Sequence, residues 1–170
     1  MADEHLEMTL LIATTVAAAI TCPVIAHADD ALQPCQSGQV VVSASPTTTG
    51  ATHRAVVLTF ELASYAPPCT LSGYPGVDTV VGGPVLHAER TLRGYLGGLP
   101  ADEDALPTVA LSTAEPAYAV VEGVGVDRSG NGCPTYTSLR VTPPDNTDTQ
   151  NIPVTINTCE LQVHPIGSTT

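Results

Sequence analysis

The chain has 170 residues, enough for one domain with a sizeable core, and its 17 acidic against 5 basic side chains give a net charge of −12. All five cations are arginines (Arg54, Arg90, Arg93, Arg128 and Arg140) and lysine is absent, which argues against nucleic-acid binding, since that depends on basic side chains displacing counterions from phosphates. Only 13% of the residues are charged, there is no Trp and a single Phe, and valine and threonine take the places that aromatics fill elsewhere; β-branched side chains of this kind favour strands.

Met8 to Ile25 carries no charge and is followed by Ala26-His27-Ala28 and the acidic pair Asp29-Asp30. Small residues at the first and third places of A-x-A after an apolar stretch predict a signal peptide over residues 1–28, removed to leave a single domain over 29–170. The opening MADEHLE is acidic where a signal peptide is normally basic, and translation from Met8 would account for it. Two alternatives compete. An uncleaved membrane anchor is diluted by Thr9, Thr14, Thr15, Thr21 and Pro23, and a lipid-modified Cys22 lacks the preceding leucine and small residue that such sites show.

Export matters for the cysteines. Loss of Cys22 with the signal leaves Cys35, Cys69, Cys133 and Cys159, an even number that reads as a disulfide framework with three possible connectivities. Cys35 with Cys69 and Cys133 with Cys159 is the favoured pairing, because each bond then staples its own half of the chain. No C-x-x-C pair supports a zinc site.

Strand signals follow at intervals of roughly ten residues, the spacing of a sandwich or barrel. They fall at Gln39 to Ala44, His53 to Leu62, Cys69 to Leu71, Val77 to Val81, Pro84 to His87, Thr108 to Leu111, Ala117 to Val126, Thr137 to Thr142, Ile152 to Asn157 and Glu160 to Pro165. The clearest is His53 to Leu62, whose alternation puts Val56, Leu58, Phe60 and Leu62 on one face. Clusters such as Pro67-Pro68, Gly82-Gly83, Gly97-Gly98 and Gly130-Asn131-Gly132 mark the turns. A short helical turn is expected near Asp102 to Ala105, and with no crossover helices the sheets should be antiparallel. The predicted fold is all-β, an antiparallel, disulfide-stapled sandwich that is immunoglobulin-like in the broad sense, without the Trp of antibody domains.

Cys69-Thr-Leu-Ser-Gly-Tyr-Pro-Gly-Val77, with Leu139-Arg-Val-Thr-Pro-Pro144 and a late cysteine strand, resembles the actinobacterial DUF4232 family of exported domains of unknown function. The resemblance runs from about Cys35 to Ile166. It implies a secreted or lipid-anchored β-sandwich with two disulfides and no assigned activity.

The chemistry-bearing residues are sparse. There is no G-x-S-x-G elbow, and His53, His87 and His164 stand in or beside strands without an acidic or histidine neighbour at ligand spacing, which reads as surface or edge placement. Asp102-Glu103-Asp104, Asp145-Asn146-Thr147-Asp148 and Asp127 to Asn131 lack the spacing and closing acid of a calcium loop, so turn chemistry explains them. Gly73-Tyr74-Pro75-Gly76 is a candidate ligand-facing loop, or else a plug for the end of the sandwich. No catalytic, metal or cofactor site is expected. The sequence points to a secreted or envelope-associated, non-enzymatic interaction module with an envelope or extracellular partner, no nucleic acid and no membrane span when mature. An enzyme or accessory acting on envelope polymers, and a structural module of an envelope assembly, are the alternatives.

Overall fold

A computed structural model describes residues 31–168. The predicted signal segment 1–28, with Met8 and Cys22, lies outside the described residues.

Eleven strands occur in chain order: β1 (Val40–Ala44), β2 (Thr48–Gly50), β3 (His53–Leu62), β4 (Cys69–Ser72), β5 (Gly76–Thr79), β6 (Glu89–Arg90), β7 (Thr108–Leu111), β8 (Ala117–Val124), β9 (Thr135–Thr142), β10 (Gln150–Asn157) and β11 (Leu161–Val163). One sheet runs β1-β3-β8-β11-β6, with β2 also on β3; a second runs β10-β9-β5, and β4 pairs with β7. The two smaller sheets cover one face of the large one: β10 packs on β1, β3 and β8, and β7 on β3 and β8. This is the predicted all-β sandwich. Its pairs are antiparallel except β11 with β6, which run parallel. The expected helical turn near Asp102 is a β-turn closed by Glu103 N–H donating to Pro100 C=O. Pro84 to His87 forms no strand, although Leu86 and Ala88 bond to the β5 edge.

Period-two alternation builds the core. Val56, Leu58 and Phe60 on β3, Ala117, Ala119 and Val121 on β8, and Leu161 and Val163 on β11 face Ile152, Val154, Ile156, Leu139 and Val141 of the second sheet. Leu62 is only half buried, because it stands at the strand's end beside the core. A register shift between Pro153 and Ile156 turns both Tyr136 and Leu139, three residues apart on β9, inward. Pro153 is tolerated there since β10 is an edge strand. The two layers are also tied laterally: the Gln150 side chain accepts from Val42 N–H at 3.0 Å and donates to Val40 C=O at 2.9 Å, so an amide extends the β1 edge.

The disulfides are Cys35–Cys69 and Cys133–Cys159, with Cα separations of 4.9 and 5.1 Å, the favoured one-staple-per-half arrangement. The first is buried and fixes the segment before β1 to the start of β4; the second links the turn after β8 to the turn before β11.

Candidate functional site

The large sheet has a second face, turned away from the core, and Ala55 and Glu122 stand opposite one another on it. A strap over residues 91–99 covers this face. It closes on itself through Gly94 N–H to Gly97 C=O and Leu99 N–H to Leu92 C=O, both 2.8 Å. Its glycines allow close approach: a Cβ at Gly94 would overlap the Glu122 carboxylate and sit 2.6 Å from His164 Nε2, and one at Gly97 would sit 2.6 Å from Val120 Cβ. Ala55, on this same face, is 4% exposed.

Glu122 is the centre of this arrangement and is 2% exposed. Oε1 accepts from Tyr95 N–H at 3.0 Å and His53 Nδ1 at 2.7 Å; Oε2 accepts from Leu96 N–H at 2.9 Å and His164 Nε2 at 3.2 Å. Burial alone would raise its pKa. The bonds from Leu96, His164, Tyr95 and His53 outweigh burial and hold it below the ordinary 4.5, so the carboxylate is ionised. An ionised carboxylate only accepts, which places protons on His53 Nδ1 and His164 Nε2. The other nitrogen of His164 lies 3.1 Å from both the hydroxyl and the carbonyl oxygen of Thr91. The ring is thus held on both sides, by Glu122 and by Thr91. Tyr95 stacks on His53 with centroids 4.5 Å apart, leaving its other face to solvent.

Surface placement therefore fits His87, which bonds the Asp78 carboxylate at 2.6 Å, and fails for His164, which is 1% exposed. The sequence reading missed the partner because Glu122 is 69 residues from His53 and 42 from His164. A lone acid inside the apolar run Ala117 to Val126 was the available signal.

The partners Leu96 and His164 border a cleft of about 310 Å³, and Glu122 itself borders a cavity of about 30 Å³ with His53, Gly123, Glu160 and Gln162. That is the volume of about one water in the liquid. The arrangement anchors the strap through the Tyr95 and Leu96 amides.

The remaining sequence candidates lie apart from this cluster. Tyr74 packs half buried against the core, Pro75 is buried, Gly73 C=O accepts from Ile166 N–H, and Gly76 is exposed at the start of β5. Asp127 accepts from the N–H groups of Ser129 and Asn131, both at 2.8 Å, and from Asn131 Nδ2 at 3.0 Å; Asn146 accepts from Thr147 and Asp148 N–H. Arg93 bonds Pro100 C=O, Glu103 C=O and Asp104. All three acidic stretches are turns. Among the described residues no group of three or more His, Cys, Asp or Glu side chains is placed to hold a metal ion, and no helix is long and apolar enough to cross a membrane.

The family model for the domain of unknown function DUF4232 matches residues 35–167, from the first core cysteine to the residue that bridges Tyr118. The chain belongs to the DUF4232 family. Both disulfides and the Glu122 cluster fall inside this DUF4232 span. No curated protein and no solved structure matches the chain.

Proposed function

We propose that this DUF4232 domain is an exported, non-enzymatic interaction module that contacts an envelope or extracellular partner through its loops and sheet edges. One observation carries the reading: both oxygens of the buried carboxylate, which with two imidazoles is the grouping on which acid–base chemistry would most naturally rest, are taken up by the two strap amides and the two rings. A general base must reach a substrate proton within hydrogen-bond distance, and the strap amides occupy that position. Export is supported by the A-x-A site and by two disulfides, which persist in oxidising compartments. The mature chain then begins at Asp29.

The test uses the purified, oxidised domain as bait against envelope fractions, with mass spectrometry of what is retained, alongside an assay for envelope-polymer cleavage. Saturable retention of a partner, equal for the wild type and Glu122→Gln, supports the interaction module. Polymer turnover lost in Glu122→Gln would overturn it in favour of an enzyme.

A further inference from the structure

Resting on the interaction-module reading, we infer that the open edge of β7 is the docking site, and that it takes an extended, basic peptide segment by strand addition. Three independent features meet there.

The first is backbone geometry. Thr70, opposite Ala110 in the β4–β7 ladder, directs its C=O to Cys35 N–H at 3.0 Å and its N–H to Gln33 C=O at 2.9 Å, away from β7. Thr70–Ala110 and, two residues on, Ser72–Thr108 are therefore the pairs without mutual hydrogen bonds, and on β7 the N–H and C=O groups of Thr108 and Ala110 point outward. Among the described residues none of these four groups has a partner, and both residues are exposed. The ladder stops at Ser112, whose N–H closes a turn onto Glu115 C=O. An unpaired edge is a template for another chain.

The second is shape. A cleft of about 450 Å³ opens along this edge, with Pro107, Ala114, Pro116 and Tyr118 giving it apolar walls. It joins a second cleft of about 310 Å³ at Pro107 and Tyr118. Tyr118, half buried on the strap side of β8, forms wall in both. An incoming strand would find its hydrogen-bonding partners on β7 and pockets for alternate side chains in the two clefts.

The third is charge. Glu115 borders one cleft and Glu103 the other, both are exposed, and neither carboxylate is ion-paired among the described residues; Arg93, which bonds the Pro100 and Glu103 carbonyls, is itself paired with Asp104. With 14 acidic against 5 basic side chains once residues 1–28 are removed, a net charge of −9, this selects a cationic partner.

The experiment is fluorescence anisotropy with a labelled synthetic hexapeptide of alternating Val and Arg, run against the oxidised wild type, Ala110→Pro and Glu103→Gln/Glu115→Gln. Pro at 110 removes an N–H that the fold does not use, as edge strands tolerate; retained near-UV circular dichroism and both disulfides verify folding. The wild type should bind saturably, Ala110→Pro should lose about tenfold, consistent with one or two hydrogen bonds, and the double Gln variant should lose affinity together with salt sensitivity. The same peptide N-methylated at alternate residues, or with Glu for Arg, should not bind. Absence of saturable wild-type binding, or equal binding by folded Ala110→Pro, would overturn the inference, as would a stable wild-type dimer by light scattering that Ala110→Pro disrupts, since the edge would then pair with a second copy. An envelope partner retained equally by wild type and Ala110→Pro would remove the β7 site and leave the interaction module standing; no partner for either removes both.

Discussion

Glu122 Oε2 and His164 Nε2 lie 3.2 Å apart with residue exposures of 2% and 1%, joining β8 to the segment after β11 beneath the strap. The pair sits on the side of the large sheet away from the core, where a sandwich strand ordinarily meets solvent. Its role is to satisfy the strap's Tyr95 and Leu96 amides, which would otherwise be covered without partners.

Glu122→Gln keeps the shape and removes the charge, leaving one strap amide or one imidazole facing a donor. It should cost about 1 to 3 kcal/mol by urea unfolding. Because the folded pKa lies below the ordinary 4.5, the carboxylate's contribution is complete above that value and is lost as pH falls through the folded pKa. The variant should therefore show a shallower loss of stability with acid. Some slope should persist, since Asp78, held low by Arg140 and His87 against the opposing effect of burial, titrates in the same direction.

Gly94→Ala should destabilise by about 1 to 3 kcal/mol, because its methyl would overlap the Glu122 carboxylate and press on the buried His164 ring. Gly132→Ala, with open space around it, should stay within about 0.5 kcal/mol and serves as the control in the same thermal unfolding series.

These residues also show where sequence reading reaches its limit. The β3 face was legible because Val56, Leu58 and Phe60 recur at period two, and all three are fully buried. The strap over the opposite face was not legible, since its composition, Arg93-Gly-Tyr-Leu-Gly-Gly98, reads as an ordinary loop. The Glu122 cluster depends on three strands meeting in register, and no local pattern encodes that distance. The parallel β6–β11 pair escaped for a similar reason: Glu89–Arg90 is two residues long and both are exposed. The disulfide pairing came through because pairing neighbours along the chain matched the way each half folds back on itself.

Phe60→Ala, at a residue with no exposure in the centre of the β3 core face, should cost about 3 to 5 kcal/mol in denaturant unfolding. Val57→Ala, on the half-buried opposite face, should cost clearly less.

Non-reducing peptide mapping of the mature protein should recover Cys35 linked to Cys69 and Cys133 linked to Cys159, with no free thiol. The loops span 34 and 26 residues, so reducing either bond should cost roughly 3 to 4 kcal/mol by chain entropy. Mild reductant should open Cys133–Cys159 first, as both its residues are partly exposed whereas Cys35 and Cys69 are 3% and 2% exposed.

The central claim is that the Glu122 cluster holds the strap in place, and amide hydrogen exchange at Tyr95 and Leu96 tests it directly. In the wild type both amides should be protected by the carboxylate, and in Glu122→Gln they should exchange at least about tenfold faster while the amides of Val56 and Leu58 keep their rates. Unprotected strap amides in the wild type, or rates unchanged in the variant, would contradict the account.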